Sequence, residues 1–258
     1  MEIVVEERHQ PDLPGGILHL RYRSQVDGLE DWALLLPGLP GAPWAVALHG
    51  HGSTGDQLFT RPDIREQWLA HYRHRGLGIL SPHLRGNAWM CPAAAADLHD
   101  LIGWLRQAHG AQRLLFLSGS MGGTANLIYA ALHPGEVSAV AALCPATDVG
   151  AYWRWCQAHA VGVVAEIAAA IGQAYGGSPD QVPESYAAHG VLARVEVLTM
   201  PLLLAHGTAD ALIPVAQSRA LADRLHGRPG FVYRELEGGD HDAPLHQAGL
   251  LAWLDQQL

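Results

Sequence analysis

The residues best placed for chemistry sit in Leu114-Leu115-Phe116-Leu117-Ser118-Gly119-Ser120-Met121-Gly122-Gly123. Four apolar residues read as a buried strand, small residues crowd the turn that follows, and a helix-forming run extends from Thr124 to His133, closed by Pro134-Gly135. Ser120 lies at the tip of that turn. A serine hydroxyl is a poor nucleophile at neutral pH; it needs a base to take its proton and a carboxylate to orient the base. Downstream, Leu204-Ala205-His206-Gly207-Thr208-Ala209-Asp210 ends an apolar run in a turn ahead of Pro214, and offers Asp210 as the acid. Glu237-Gly238-Gly239-Asp240-His241-Asp242 lies between the last strand-like and the last helix-like run, and offers His241 as the base. Each group has a plainer reading. A glycine-rich turn can carry an incidental serine or cradle a phosphate, although no lysine follows as a P-loop requires. Asp210 also suits a turn or a helix cap. His241 is one of 16 histidines. Its neighbours fit less well: His206 ends a strand and is too rigid to swing, and His246 falls inside the expected last helix. Asp240 and Asp242 are too close along the chain to aim a carboxylate at the ring.

The elements that must hold these groups alternate along the chain. Strands are expected at 17–23, 31–36, 44–48, 77–80, 114–117, 137–143, 202–205 and 231–236. Helices are expected at 62–74, 93–109, 124–133, 214–225 and 243–258. Strand-helix alternation predicts an α/β fold with a mostly parallel sheet of about eight strands, helices on both faces and ligands at the carboxyl ends of the strands. Residues 1–258 read as a single domain, and about 150–195 as a small helical, cap- or lid-like insertion within it. His49 and His51 form an i, i+2 pair that could suggest a metal, but no third ligand stands at plausible spacing, so no metal is expected.

Composition narrows the classes further. The chain has 258 residues, 49% hydrophobic, enough for one sizeable core. It carries 25 acidic against 16 basic residues, all of the latter arginine, for a net charge of -9. No basic patch is concentrated anywhere, so nucleic acid and anionic membrane surfaces are not expected partners. Cys91, Cys144 and Cys156 form no CxxC pair and favour a reducing compartment. The start, 1–8, is acidic and lacks the apolar run of a signal peptide. No apolar run reaches a membrane span; Ala160 to Ala174 is short and interrupted by Glu166. These features together predict a soluble cytoplasmic protein.

A serine on a sharp strand-to-helix turn resembles the nucleophile elbow of the α/β-hydrolase superfamily. Ser118 stands where glycine is usual, at a position that requires only a small side chain. The second half is similar to the catalytic domain of the prolyl oligopeptidase family and its short esterase relatives. The matching residues are the elbow, Tyr175-Gly176-Gly177-Ser178-Pro179, Pro183-Glu184-Ser185-Tyr186, Met200-Pro201, His206-Gly207-Thr208-Ala209-Asp210, Ile213-Pro214 and Gln217-Ser218. His49-Gly50-His51-Gly52 resembles the oxyanion loop of dienelactone-hydrolase-like and acetyl xylan esterase-like members. The resemblance implies Ser120 as nucleophile, Asp210 as acid and His241 as base, in that chain order, with the amides of Met121 and His51 as oxyanion donors. It implies no cofactor. The large peptidases of the family carry an additional propeller domain, which 258 residues cannot hold.

The expected reaction is hydrolysis of a carboxylic ester of a small or medium substrate through an acyl-enzyme. Hydrolysis of a short peptide or acylamino acid is the alternative, and a non-catalytic binding protein on the same fold a third reading. Trp89 and Met90 follow a strand's carboxyl end, and Tyr152 and Trp153 (with Trp155) open the insertion; all could line a substrate pocket or simply pack the insertion onto the core. Asp148 could cap the helix that follows it. Acyl group, alcohol and oligomeric state are not legible.

Overall fold

The computed structural model describes residues 2–7 and 15–258. Nine strands form one sheet: β1 (Glu2–Glu7), β2 (Leu18–Arg23), β3 (Glu30–Leu36), β4 (Trp44–Val46), β5 (Gly78–Pro82), β6 (Leu114–Gly119), β7 (Ala139–Leu143), β8 (Leu202–Gly207) and β9 (Phe231–Leu236). Their order is β1-β2-β3-β5-β4-β6-β7-β8-β9. The first three strands and β5 pair antiparallel, and everything from β5 through β9 is parallel. Strands β4, β5, β7 and β8 are buried at every residue, which is why they read as unbroken apolar runs rather than alternating ones.

Side-chain alternation divides the core in two. Leu114 and Phe116 of β6 face one layer with Val140, Leu202 and Leu204; Leu115 and Leu117 face the other with Ala141, Leu203 and Leu245. The helices are α1 (Gln57–Thr60), α2 (Pro62–Ile64), α3 (Ala70–His74), α4 (Pro92–His109), α5 (Met121–Leu132), α6 (Val149–Ala158), α7 (Val163–Tyr175), α8 (Pro183–Ala188), α9 (Ala216–Leu225) and α10 (Leu250–Asp255).

Among the described residues the sheet has nine strands, in keeping with the expected eight or so; the strand not foreseen is β1, where glutamates flank Ile3-Val4-Val5 and an exposed edge lacks the apolar run that marks a buried strand. Two expectations need correction. The helix over 62–74 contains a π-helical turn, Arg65–Leu69. The last helix is not continuous over 243–258. A 3₁₀ turn, Ala243–His246, is separated from α10 by Gly249 at φ +79°, a left-handed conformation that suits glycine. Between β7 and β8 lie α6, α7, α8 and a 3₁₀ segment, Leu192–Val197. Asp148 caps α6 as the sequence suggests, its Oδ1 accepting from Ala151 N at 2.8 Å.

Candidate active site

Ser120 joins β6 to α5 with φ 58° and ψ −129°, a strained conformation for a residue with a side chain. Glycines make the turn sterically feasible. A Cβ on Gly122 would stand 2.2 Å from Leu48 O, and one on Gly119 2.4 Å from Leu245 Cδ2. Ser118 is buried, and its hydroxyl accepts from Leu48 N at 2.9 Å. The serine in the usual glycine position thus anchors the strand end that leads into His49-Gly50-His51-Gly52. Met121 is the first residue of α5, so its amide is one of the helix's unpaired N-terminal donors beside Ser120.

The acid and base candidates meet at the ends of β8 and β9. Asp210 Oδ1 accepts from Leu212 N (2.8 Å) and Ile213 N (2.9 Å), and Oδ2 accepts from His241 Nδ1 at 2.7 Å. Close approach of the two loops depends on Gly207, where a Cβ would lie 2.2 Å from Gly239 O. The Asp210 side chain is fully buried. Burial alone would raise its pKa, but hydrogen bonds from His206 and His241 hold the carboxyl well below the usual range. His206, also fully buried, lies behind it: Nδ1 is 2.7 Å from Ser218 Oγ, and Nε2 is 2.9 Å from Ile213 O and 3.1 Å from Asp210 Oδ2. Two acceptors at Nε2 place the proton there, so the Ser218 hydroxyl donates to Nδ1.

His241 is more crowded than the sequence suggests. Cys144, at φ +43° just past β7, brings its Sγ, a ring nitrogen of His241 and a carboxylate oxygen of Asp210 within 4.8 Å of one another. Burial opposes the imidazolium, but the neighbouring Cys144 sulfur and the Asp210 carboxylate outweigh it and raise the His241 pKa to about 10. Ser120 and His241 line one cavity, and Ser120 Oγ makes no hydrogen bond among the described residues. The structure therefore brings Asp210 and His241 into contact and puts Ser120 on the wall of the same cavity, with no hydrogen bond from Ser120 Oγ to His241. His246 lies away from this contact, its Nε2 3.1 Å from Asp63 Oδ2.

The loop after β4 is pinned on all sides. Gly50 N donates to Gln57 Oε1 (2.9 Å), Gly52 N to Asn87 Oδ1 (2.8 Å), and Trp89 Nε1 to His51 Nδ1 (3.2 Å). Trp89 and Met90 are consequently buried supports of this loop, not walls of the cavity at Ser120. Tyr152 is also buried, with its hydroxyl donating to Leu212 O at 2.9 Å, and Trp153 Nε1 donates to Ala168 O at 3.0 Å, joining α6 to α7. None of these four residues lines the cavity. The three aromatic rings were taken up by packing because each polar atom found a partner inside the fold, the backbone for Tyr152 and Trp153 and the His51 ring for Trp89.

The cavity is lined instead by residues that sequence reasoning missed, Trp68, Leu58, Leu245 and Cys144 among them, with Arg61 at its edge. Cys144 had a signal, since it follows a buried strand adjacent to the elbow; Trp68 had none, being one apolar residue of an amphipathic helix. Among the described residues, two side-chain groups come close enough for a shared cation, Cys144–Asp210–His241 and His99–His133–Glu136. Asp210 is already saturated with donors, and Glu136 is engaged by Arg106 Nη1 at 3.1 Å and by the Tyr129 hydroxyl. Neither set offers a free carboxylate.

A parallel sheet with an antiparallel edge, a serine elbow after β6, and an acid and a histidine after β8 and β9 define the α/β-hydrolase fold. The chain belongs to the serine aminopeptidase S33 family, whose model matches residues 47–182. A monoacylglycerol lipase of Mycolicibacterium smegmatis is 32% identical over 192 residues, 61% of this chain; the chain spans 64% of that relative's length. An acetyl xylan esterase from Paenibacillus sp. R4 matches with a TM-score of 0.71 at 16% identity, covering 100% of this chain and 88% of that one. An esterase of Pyrococcus furiosus matches with a TM-score of 0.66 at 16% identity, covering 93% and 89%. These two structural likenesses establish the fold.

Proposed function

We propose that the chain hydrolyses carboxylic esters of small or medium substrates, through an acyl-enzyme on Ser120. The observation that carries this reading is the 2.7 Å bond from His241 Nδ1 to the buried Asp210 carboxylate, beside a serine that lines the same cavity. Ser120 Oγ attacks the ester carbonyl carbon as its proton passes to His241. Orienting the substrate closes the Ser120–His241 distance, which is often long in an unliganded site. The amides of Met121 and His51 hold the developing oxyanion, and loss of one such donor costs about 100- to 1000-fold. His241 then gives its proton to the departing alcohol, and water repeats the sequence on the acyl-enzyme. Side chains and water suffice, so no cofactor is required. The segment from 149 to 197 sends Val163 and Ile167 to the cavity and acts as its cover.

The description of the family as serine aminopeptidases favours peptide or acylamino acid hydrolysis as the second reading. Comparing kcat/KM on p-nitrophenyl butyrate with that on aminoacyl-p-nitroanilides separates the two. Faster ester turnover, lost in Ser120→Ala, is expected; faster anilide turnover would reverse the assignment. No turnover of either would favour a binding protein.

A further inference from the structure

The cavity at Ser120 reaches into one of the two hydrophobic layers of the fold. Leu58, Ile64, Trp68, Leu117 and Leu245 line it and are each nearly inaccessible to solvent. Three of them come from the helical stretch after β4, in which the π-helical turn Arg65–Leu69 carries Trp68. π-helical turns are rare and concentrate at functional sites. Trp68 Nε1 donates to Leu245 O at 3.2 Å, so the indole is held in place and its polar atom is satisfied. What it turns to the cavity is apolar ring. At the outer edge the surface becomes charged, with Arg61 3.1 Å from Asp242 and 2.9 Å from Asp63. A ligand carbonyl at Ser120 therefore has an apolar compartment on one side and a charged collar on the other.

The volume limits what enters. The whole cavity, including its polar side at His49, His51 and His241, measures about 140 Å³, so the apolar compartment is no larger than that. A cavity of roughly 150 Å³ walled by Leu, Ile and Phe takes a benzene-sized group. We propose that this compartment is the acyl site with Trp68 as its end wall, so that the enzyme takes acyl groups of two to about six carbons and rejects long fatty acyl chains. This rests on the reading of Ser120 as the residue that is acylated. The ceiling separates this chain from any lipase that accepts long chains.

Steady-state kinetics of the full chain on p-nitrophenyl acetate, butyrate, hexanoate, decanoate and palmitate test it. Within the compartment each added methylene raises kcat/KM by up to about fourfold. Past hexanoate, kcat/KM falls by roughly tenfold or more. In Trp68→Ala the ratio of decanoate to butyrate kcat/KM rises by about tenfold, because the end wall is gone. Leu245→Ala shifts the ratio in the same direction, and the wild-type profile tests the ceiling even if neither variant folds. Palmitate turned over as well as butyrate by the wild type overturns the ceiling but leaves the esterase reading standing. So does a Trp68→Ala variant that slows every ester by one common factor. Failure to hydrolyse any ester removes the esterase reading, and the acyl site with it.

Discussion

The hydrogen bond between His241 and Asp210 determines the pH at which the imidazole can act as a base. Burial opposes the charged ring, yet the Cys144 sulfur and the Asp210 carboxylate raise its pKa to about 10, above the ordinary 6.5. General-base catalysis needs the neutral ring, so kcat/KM should climb with pH along a limb centred above 6.5; a flat profile from neutral to alkaline pH would contradict it. The linkage to stability has the opposite sign. The raised pKa contributes stability that is fully present below 6.5 and is lost as pH rises towards 10. Asp210, with its pKa lowered, contributes stability above its ordinary pKa that is lost in acid. Asp210→Asn should retain the fold but lower kcat by about 10⁴-fold, as wrong-tautomer variants of comparable sites do. At this scale the placement was legible: Ser120 directly follows β6, and Asp210 and His241 lie in the loops after β8 and β9. The environment of each group was not. Cys144 beside His241 and His206 behind Asp210 are set by strand neighbours remote in sequence, and His206, dismissed as a rigid strand-end residue, is rigid because it is buried under the acid.

At the scale of elements, the loop after β5 braces the loop after β4. Leu84, Arg85, Trp89 and Met90 all have positive φ, a run of strain that requires an anchor. Arg85 provides it. Its guanidinium donates to Asp97 (2.6 Å), Asp27 (2.7 Å) and Ser24 (2.7 Å), and its amide to Asp31 (2.6 Å). Asp97 is buried and paired, and removing one partner of such a pair leaves a desolvated charge. Asp97→Ala should therefore cost about 3–5 kcal/mol in urea unfolding and lower activity by loosening Trp89 from His51. A loss below ~1 kcal/mol would show that the network is not an anchor. Nothing in the local sequence announced it, since its members come from three separated stretches. Trp89 and Met90 of this loop looked like pocket walls because position along a strand end does not reveal which way a side chain turns.

The whole molecule separates an exposed antiparallel edge from a buried parallel centre. Ser120, Asp210 and His241 all lie at the carboxyl ends of the parallel strands, and β1 sits at the far edge with Val4 and Val5 half exposed. A chain lacking residues 2–7 should keep kcat/KM within about twofold, because opening at an edge is local. A collapse of activity would mean that the edge helps to shape the site. The architecture was the most legible level: buried strands announce themselves by continuous apolar runs and helices by their spacing. The misread parts are those where that pattern fades, namely the acidic β1, the π-helical turn and the break at Gly249. Among the described residues no helix is long and apolar enough to cross a membrane.

The side chain that becomes acylated by substrate is the one a phosphonylating reagent marks. Mass spectrometry of the chain after reaction with a fluorophosphonate, with peptide mapping of the adduct, measures this directly. A single adduct on Ser120, absent from Ser120→Ala and strongly slowed in Asp210→Asn, is the predicted result. An adduct on Cys144 instead, or labelling unaffected by Ser120→Ala, would contradict it.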